Sequence, residues 1–208
     1  MIPTGGQVRL LLLLSAAREA GLTPLYVAAV HSLAFLANVL SPVWDIASMD
    51  GKVLKRRAGP FYPDLQHDLD RLVGLGLVEI FAVRYVKDGD RWRLDASFSL
   101  KEPQSTRALD AIRAYADEHA VDEFLGELCL ALSGYPKPLL NLVALQDATY
   151  ADQMVAPGSV LDFAEWQARN YSAQAARTFD RFAPASVRLT PAEEVHLYLR
   201  HLQSRLTS

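Results

Sequence analysis

Residues 51–100 read GKVLKRRAGPFYPDLQHDLDRLVGLGLVEIFAVRYVKDGDRWRLDASFSL, and this stretch contains the strongest structural signals in the chain. It begins with a basic run over 51–63, which we expect to be extended. Pro63 suits the first position of a helix, because the N–H group that proline lacks would have no partner there. The residues after it predict an amphipathic helix, since apolar positions recur at three- and four-residue spacing and share one face. These positions are Leu65, Leu69, Leu72 and Val73.

A β-hairpin is predicted directly after this helix. Residues 77–86 and 91–100 are rich in β-branched and aromatic side chains, and the Asp-Gly pair at 88–89 is typical of a tight hairpin turn. Apolar and polar residues alternate in the second strand, which predicts one dry and one wet face. The first strand is apolar on both sides, so we expect it to be covered more fully than the second. The expected dry face of the second strand comprises Trp92, Leu94, Ala96, Phe98 and Leu100.

The order of helix and hairpin predicts a winged helix-turn-helix. We expect a mostly α fold with a small antiparallel β-hairpin, in which residues 1–102 form a winged-helix domain. Upstream of the hairpin, two largely buried helices are predicted over 7–20 and 24–40. At 101–105 the hydrophobic period changes from two to about three and a half, which indicates a boundary. Residues 103–208 are then expected to form a helical domain packed on the first.

The second half is expected to be helical throughout. Helical patterns cover 139–148 and 161–179, and a last helix follows the capping sequence Thr190-Pro191-Ala192-Glu193. The apolar stripe of this last helix needs a partner surface, and we interpret it as a candidate partner-binding site. The stripe consists of Val195, Leu199, Leu202 and Leu206.

Composition excludes several classes of protein. The 208 residues are 50% hydrophobic with a net charge of −3, so the chain can build a core and has no overall charge that attracts nucleic acid or anionic membrane. The single cysteine, Cys129, lies in an apolar helical stretch, which indicates a packed thiol in a reducing compartment. The apolar segment 25–40 is shorter than the roughly 20 residues of a membrane-spanning helix. We therefore expect a cytoplasmic protein that does not enter the membrane.

The sequence lacks the common catalytic motifs. It contains no Walker-type glycine-rich loop, no Gly-x-Gly-x-x-Gly, no Cys-x-x-Cys, no His-Glu-x-x-His and no Gly-x-Ser-x-Gly. The densest titratable cluster includes Asp64, His67 and Asp68 on the predicted helix, where such charges are common on the surface. We therefore predict a protein that is not an enzyme and uses neither a cofactor nor a metal. A small hydrolase or metal enzyme is a third interpretation, which requires an ordered metal at this cluster.

Charge separates two interpretations of the predicted winged helix. A helix that reads DNA normally projects Arg, Lys, Asn or Gln toward base edges, whereas this helix projects aspartates, which a polyanion repels. We therefore favour protein docking, with Asp64 and Asp68 as candidate partner-binding residues. Contact with a phosphate backbone through nearby cations is the alternative. The candidate cations are Lys52, Lys55, Arg56, Arg57, Lys87, Arg91 and Arg93.

Segment 51–80 resembles the middle components of bacterial ABC-three-component systems. The likeness is carried by Gly59-Pro60, Tyr62-Pro63 and Gly76-Leu77 together with the helix leucines. These systems include the winged-helix accessory subunit of Lamassu-type anti-phage defence, which partners an SMC-like (Rad50-like) ATPase and an effector such as a nuclease. A Gly-Pro pair before an amphipathic helix also occurs in Panacea-type antitoxin domains. The resemblance supplies no catalytic residues and says little about 102–208.

Together these observations predict a non-catalytic adaptor in an anti-phage defence complex. It would dock the ATPase and help to restrain or position the effector, and DNA would be contacted through the complex. The alternative is a winged-helix DNA-binding regulator or antitoxin that contacts a duplex directly.

Overall fold

The chain folds into a mostly α structure with two small antiparallel sheets. The structure is a computed structural model that describes residues 5–48, 52–88, 91–163, 170–184 and 186–207. Gly51 of the predicted basic run and Gly89 and Asp90 of the predicted turn lie outside these residues. The helices are α1 (Gly5–Glu19), α2 (Val27–Leu40), α3 (Pro63–Gly74), α4 (Gln104–Arg113), α5 (Ala116–Leu132), α6 (Tyr171–Thr178) and α7 (Pro191–Thr207). The strands are β1 (Leu25–Tyr26), β2 (Lys52–Arg56), β3 (Gly59–Phe61), β4 (Val78–Asp88), β5 (Arg91–Leu100) and β6 (Val160–Asp162).

Helices α1 and α2 form the centre of the molecule. The five leucines at 10–14 are all buried, and α1 packs against α3, α5 and β5. Residues Val27–Trp44 are long and apolar enough to cross a membrane by length and composition alone, but 78% of them are buried inside the chain. A helix that is apolar all round is expected in the core of a protein, and both helices have that position here.

The predicted helix and hairpin after residue 62 are confirmed. Helix α3 begins at Pro63 and buries Leu69 and Leu72. It ends at Gly74. The turn that follows contains a left-handed Gly76, φ 71°, and there the N–H of Leu77 donates to the carbonyl of Leu72 at 3.0 Å. Strands β4 and β5 then pair from Val78 opposite Leu100 to Asp88 opposite Arg91.

A short strand joins this hairpin to the start of the chain. Leu25 and Tyr26 pair with Phe98 and Ser97 of β5, so the sheet has the order β1-β5-β4. The sequence predicted that a helix starts at residue 24. This start is wrong, because β1 occupies Leu25–Tyr26 and α2 begins only at Val27. A two-residue strand is too short to produce a periodic pattern, and its partner lies more than 70 residues away.

The basic run over 51–63 is not a single extended segment. It folds into the hairpin β2–β3, which turns at Arg57 and Ala58, and β6 pairs with the other edge of β2. The second half of the chain is thus not helical throughout, because it supplies a strand to this sheet. The helix predicted over 161–179 is replaced by β6 and by α6, and residues 164–169 lie outside the described part.

The helix predicted over 139–148 is also wrong. Two 3-10 turns, Lys137–Asn141 and Val143–Gln146, occupy this stretch. The N–H groups of Leu139, Leu142 and Leu145 each donate to the carbonyl three residues earlier, at 2.8 to 3.0 Å. Apolar residues at three-residue spacing satisfy such a turn as well as an α-helix, so the pattern alone does not distinguish the two.

Residues from both sides of position 102 belong to one hydrophobic core. Helix α5 packs against α1, and Leu161 of β6 pairs with Val53 of β2, both fully buried. The guanidinium of Arg113 also joins the two halves, at 3.1 Å from Glu19 and 2.8 Å from Asp122. Whether residues 1–102 form a separate domain stays a prediction, but their core is completed by the second half.

Candidate interaction surface

Helix α3 presents acidic side chains to solvent. Asp64, His67 and Asp70 are exposed, and Asp70 accepts a hydrogen bond from the side chain of Gln66 at 3.0 Å. Asp64 lies in the first turn, where the helix dipole favours a negative charge. The outer face of α3 therefore has the charge expected from the sequence, and Asp64 is free to meet a partner.

The second predicted partner-binding acid, Asp68, faces the chain itself. Its Oδ1 accepts a hydrogen bond from Nε2 of Gln7 at 2.8 Å. Its Oδ2 lies so close to Gly6 that a β-carbon at that position would clash with it. Asp68 thus connects α3 to the first turn of α1, and the prediction that it contacts another protein is not supported by its position.

The candidate phosphate-binding cations do not form one patch. Arg56 and Arg57 are exposed at the turn of β2–β3, where the Arg56 guanidinium lies 3.6 Å from the centroid of the Phe61 ring. Lys52 is exposed in the same hairpin, with its ammonium 3.7 Å from a carboxylate oxygen of Asp162. The remaining cations belong to the β4–β5 hairpin of the sheet β1-β5-β4; they are Lys87, Arg91 and Arg93. Lys87 is exposed, and the side chains of Arg91 and Arg93 lie outside the described part.

Lys55 must be removed from the predicted set. Its side chain is buried, its Nζ donates to the carbonyl of Asp152 at 2.8 Å, and it lies over the ring of Tyr150. Burial lowers the pKa of this ammonium, and the nearby Asp152 opposes that shift. The ammonium therefore contacts the second half of the chain, and its buried side chain is not an exposed cation of the kind expected to meet a phosphate backbone.

The outer half of the β4–β5 hairpin exposes aromatic side chains. Tyr85 is 74% exposed and Trp92 is 67% exposed. They share one face of the hairpin. Trp92 is directly opposite Lys87, and Lys87 is two residues from Tyr85 in the same strand, so all three side chains are on the same side of the sheet. Helix α3 contacts β4, yet no described element buries these two aromatic side chains.

Two predictions about this hairpin are wrong for the same reason. Trp92 was expected on the dry face and is exposed, although Ala96, Phe98 and Leu100 of that face are buried. Strand β4 was expected to be the better covered strand, yet it is the more exposed one. Alternation shows which residues share a face, but it does not show how far the covering helix extends. The exposed apolar residues of β4 are Ile80, Phe81, Val83 and Tyr85.

The apolar stripe of α7 is used inside the chain. Val195, Leu199 and Leu202 are fully buried and Leu206 is half-buried, with α7 packed on α5 and α6. The predicted capping box is present, since the N–H of Thr190 donates to Glu193 at 2.7 Å and the N–H of Glu193 donates to Thr190 at 3.3 Å. The stripe therefore already has a partner surface inside the chain, and its position does not support the prediction that it binds another protein.

A buried polar network surrounds Asp147. Its carboxylate accepts hydrogen bonds from Ser172 and Tyr198, both at 2.8 Å, and from the N–H groups of Thr149 and Tyr150. Burial raises the pKa of Asp147, and these four donors oppose the shift. Because all of these polar groups are shielded from solvent, we interpret the network as a stabilising contact at the junction of α6 and α7. Sequence reasoning missed it, since its members are distant along the chain.

The side chains of Cys129 and His31 are also buried. Burial raises the pKa of the Cys129 thiol to about 12, so the thiol has little nucleophilic character. His31 accepts a hydrogen bond from the N–H of Tyr62 at 3.2 Å, and burial lowers its pKa to about 4. Within the described ranges, no three His, Cys, Asp or Glu residues are grouped closely enough to hold a metal ion.

Comparisons with protein-family models, with curated proteins and with solved structures found no match to this chain. A function must therefore be inferred from the surface of the chain. Its main features are the acidic face of α3 and the exposed half of the β4–β5 hairpin.

Proposed function

We propose that the chain is a non-catalytic adaptor whose first half is a winged helix. The proposed complex is the one implied by the resemblance of 51–80, an SMC-like ATPase with an effector such as a nuclease. The adaptor would dock the ATPase and help to restrain or position the effector.

The winged-helix assignment is supported by the order of elements around the first sheet. In a winged helix, a short strand between the first two helices joins the outer side of a hairpin that follows the third helix. Strand β1 lies between α1 and α2, the hairpin follows α3, and the sheet order is β1-β5-β4. The hairpin β2–β3 is then an insertion between the second and third helices.

The adaptor proposal rests mainly on the exposed aromatic face of the β4–β5 hairpin, which is the wing of the proposed winged helix. Tyr85 and Trp92 together expose roughly 300 Å², if each ring-bearing side chain has about 200 Å² to bury. The largest apolar patch on a typical monomer has about 300–600 Å² and is often functional, so a patch of this size is compatible with an interaction site. Tyrosine and tryptophan are also the residues most enriched among energetically important contacts between proteins.

Co-purification tests the proposal. The tagged chain is co-expressed with the SMC-like ATPase and the effector encoded beside it, and we expect a stable complex with the wild-type chain. Tyr85→Ser should reduce recovery of the ATPase about tenfold, as expected when a well-buried interface tyrosine is lost. Tyr115→Ser is the matched control, because Tyr115 is 70% exposed on the far side of the predicted boundary. A wild-type chain that purifies alone would overturn the proposal.

A DNA-binding regulator or antitoxin is the second candidate function. It is favoured by Arg56 and Arg57, which are exposed at a hairpin turn and form no ion pair with a described residue. If they bind phosphates, Arg56→Ala with Arg57→Ala should lower the slope of log K against log salt concentration by about 2. Arg107→Ala with Arg188→Ala removes the same charge from two other exposed positions and should leave the slope unchanged. No binding to duplex DNA at low salt would eliminate this function.

A further inference from the structure

Strand β4 is the outer strand of its sheet and has one free edge. Nine of its 11 residues pair with β5 on one side, and no described strand pairs with the other side. The exposed Val83, Tyr85 and Lys87 show that no described helix covers the outer part of this strand. The other outer strands, β1, β3 and β6, have two or three residues each. An unpaired edge of this length leaves backbone N–H and C=O groups that can pair with another strand.

A β-bulge limits the part of this edge that is regular. The register with β5 shifts between Phe81 and Arg84, and Ala82 has a positive φ of 47°. Beyond the bulge, Arg84 to Asp88 pair residue by residue with Asp95 to Arg91. The bulge thus divides the edge into a regular inner segment, 78–81, and a regular outer segment of five residues, 84–88. We call the outer segment the wing edge.

The sequence of the wing edge, Arg-Tyr-Val-Lys-Asp, is complementary to itself in antiparallel order. With Val86 opposite Val86 of a second copy, Tyr85 stands opposite Lys87 and Arg84 stands opposite Asp88. A twofold axis at Val86 repeats each of these pairs. Opposite charges and aromatic–cation pairs at directly opposed positions stabilise an antiparallel ladder. This register combines a pair of unlike charges at each end of the segment with a valine pair at its centre.

The existing contacts leave this pairing open. The Arg84 guanidinium lies 3.3 Å from Asp95 and over the ring of Tyr26, yet half of the arginine side chain remains exposed. Lys87 is exposed and forms no ion pair with any residue that the structure describes. Pairing at the edge places Lys87 of the second copy beside Tyr85 but leaves Trp92 and the outward surface of that face uncovered, so a partner can still dock there.

We propose that two copies of this chain associate through their wing edges, forming a continuous six-stranded sheet across a twofold axis. A closed twofold contact uses the same surface on both copies, as the self-complementary segment requires. The contact is smaller than the roughly 1,600 Å² of a standard protein interface, so we expect a dimer that dissociates in the micromolar range.

Paired charge variants at Val86 test the proposal. Sedimentation velocity over a concentration series should show a monomer–dimer equilibrium for the full wild-type chain. Val86→Lys and Val86→Glu each place like charges on the twofold axis and should weaken dimerisation at least about tenfold. An equimolar mixture of the two variants should form a heterodimer, because the opposed charges then attract. Val160→Lys is the matched control, since Val160 is an exposed valine in β6 of the other sheet.

Asp88→Arg is a second variant, which opposes two arginines at each end of the ladder without changing Val86. Circular dichroism identifies any variant that fails to fold. Hydrogen exchange should show slower exchange of amides in 84–88 at high protein concentration. A wild-type chain that is monomeric at all concentrations, or a dimer that Val86→Lys leaves intact, would overturn the proposal.

Discussion

His31 connects the burial of a single residue to the pH dependence of stability. Its ring lies against Phe61 and Tyr62, and burial lowers its pKa from 6.5 to about 4. The unfolded chain therefore binds a proton at a higher pH than the folded chain does. The free energy of unfolding should fall by about 3 kcal/mol from this residue alone as pH drops from 6.5 to about 4.

Urea unfolding of His31→Gln across this range measures the effect. The glutamine does not titrate, and its side-chain oxygen can accept the hydrogen bond that His31 takes from the N–H of Tyr62. The variant should lose the part of the pH slope that His31 contributes. His67→Gln, at an exposed position on α3, is the matched control substitution. Equal slopes for wild type and His31→Gln would contradict the assignment.

Tyr198 tests the network around Asp147. Its hydroxyl donates to Asp147 at 2.8 Å and accepts from the N–H of Ala148 at 3.0 Å. Tyr198→Phe leaves both buried groups without this partner, so we expect a loss of about 1–3 kcal/mol in the free energy of unfolding. Tyr115→Phe removes an exposed hydroxyl and should change stability by less than about 0.5 kcal/mol. Comparable effects of the two changes in urea unfolding would show that the network is not stabilising.

At the scale of an element, α7 distinguishes a core helix from a docking helix. Leu199 is fully buried, whereas Leu197 on the same helix is 37% exposed. Leu199→Ala should lower the free energy of unfolding by about 2–5 kcal/mol, because it creates a cavity in the core. Leu197→Ala should cost much less. If Leu199→Ala left thermal stability unchanged and weakened only a partner complex, the stripe would be a docking surface after all.

Elements with a local signal were predictable from the sequence. Helix α3 has an amphipathic pattern and a glycine end, and the β4–β5 hairpin has a turn signal between two apolar runs. The capping box of α7 is contained in four consecutive residues. In each case the residues that determine the structure lie within a few positions of one another, so their interactions can be read along the chain.

Elements that depend on distant partners could not be predicted in this way. Strand β6 has three residues and forms only because β2, about 100 residues earlier, offers an edge. Lys55 looked like a surface cation, but its ammonium is held by a carbonyl 97 residues away. The same limit affected the candidate site. The alternation in β5 placed Trp92 on a face, but its exposure depends on which distant elements pack against that face.

At the scale of the whole molecule, the central question is whether the first 102 residues can fold alone. Residues 1–102 contain all the elements of the proposed winged helix, but α1 packs against α5 and β2 is completed by β6. Removing the second half would expose part of the leucine run at 10–14 to water. Each leucine side chain exposed costs about 1.5–3 kcal/mol, a large share of the roughly 5–15 kcal/mol that stabilises a domain.

We therefore expect a 1–102 fragment to give a poorly dispersed amide spectrum and no cooperative thermal transition. Fragments 1–102 and 103–208 produced in the same cell should associate, because each supplies surfaces that the other buries. As a control, a full chain with a flexible Gly/Ser insertion between Glu102 and Pro103 keeps both halves together and should fold. A well-dispersed, monomeric 1–102 fragment would show that the first half is an independent domain and that the shared core is dispensable for it.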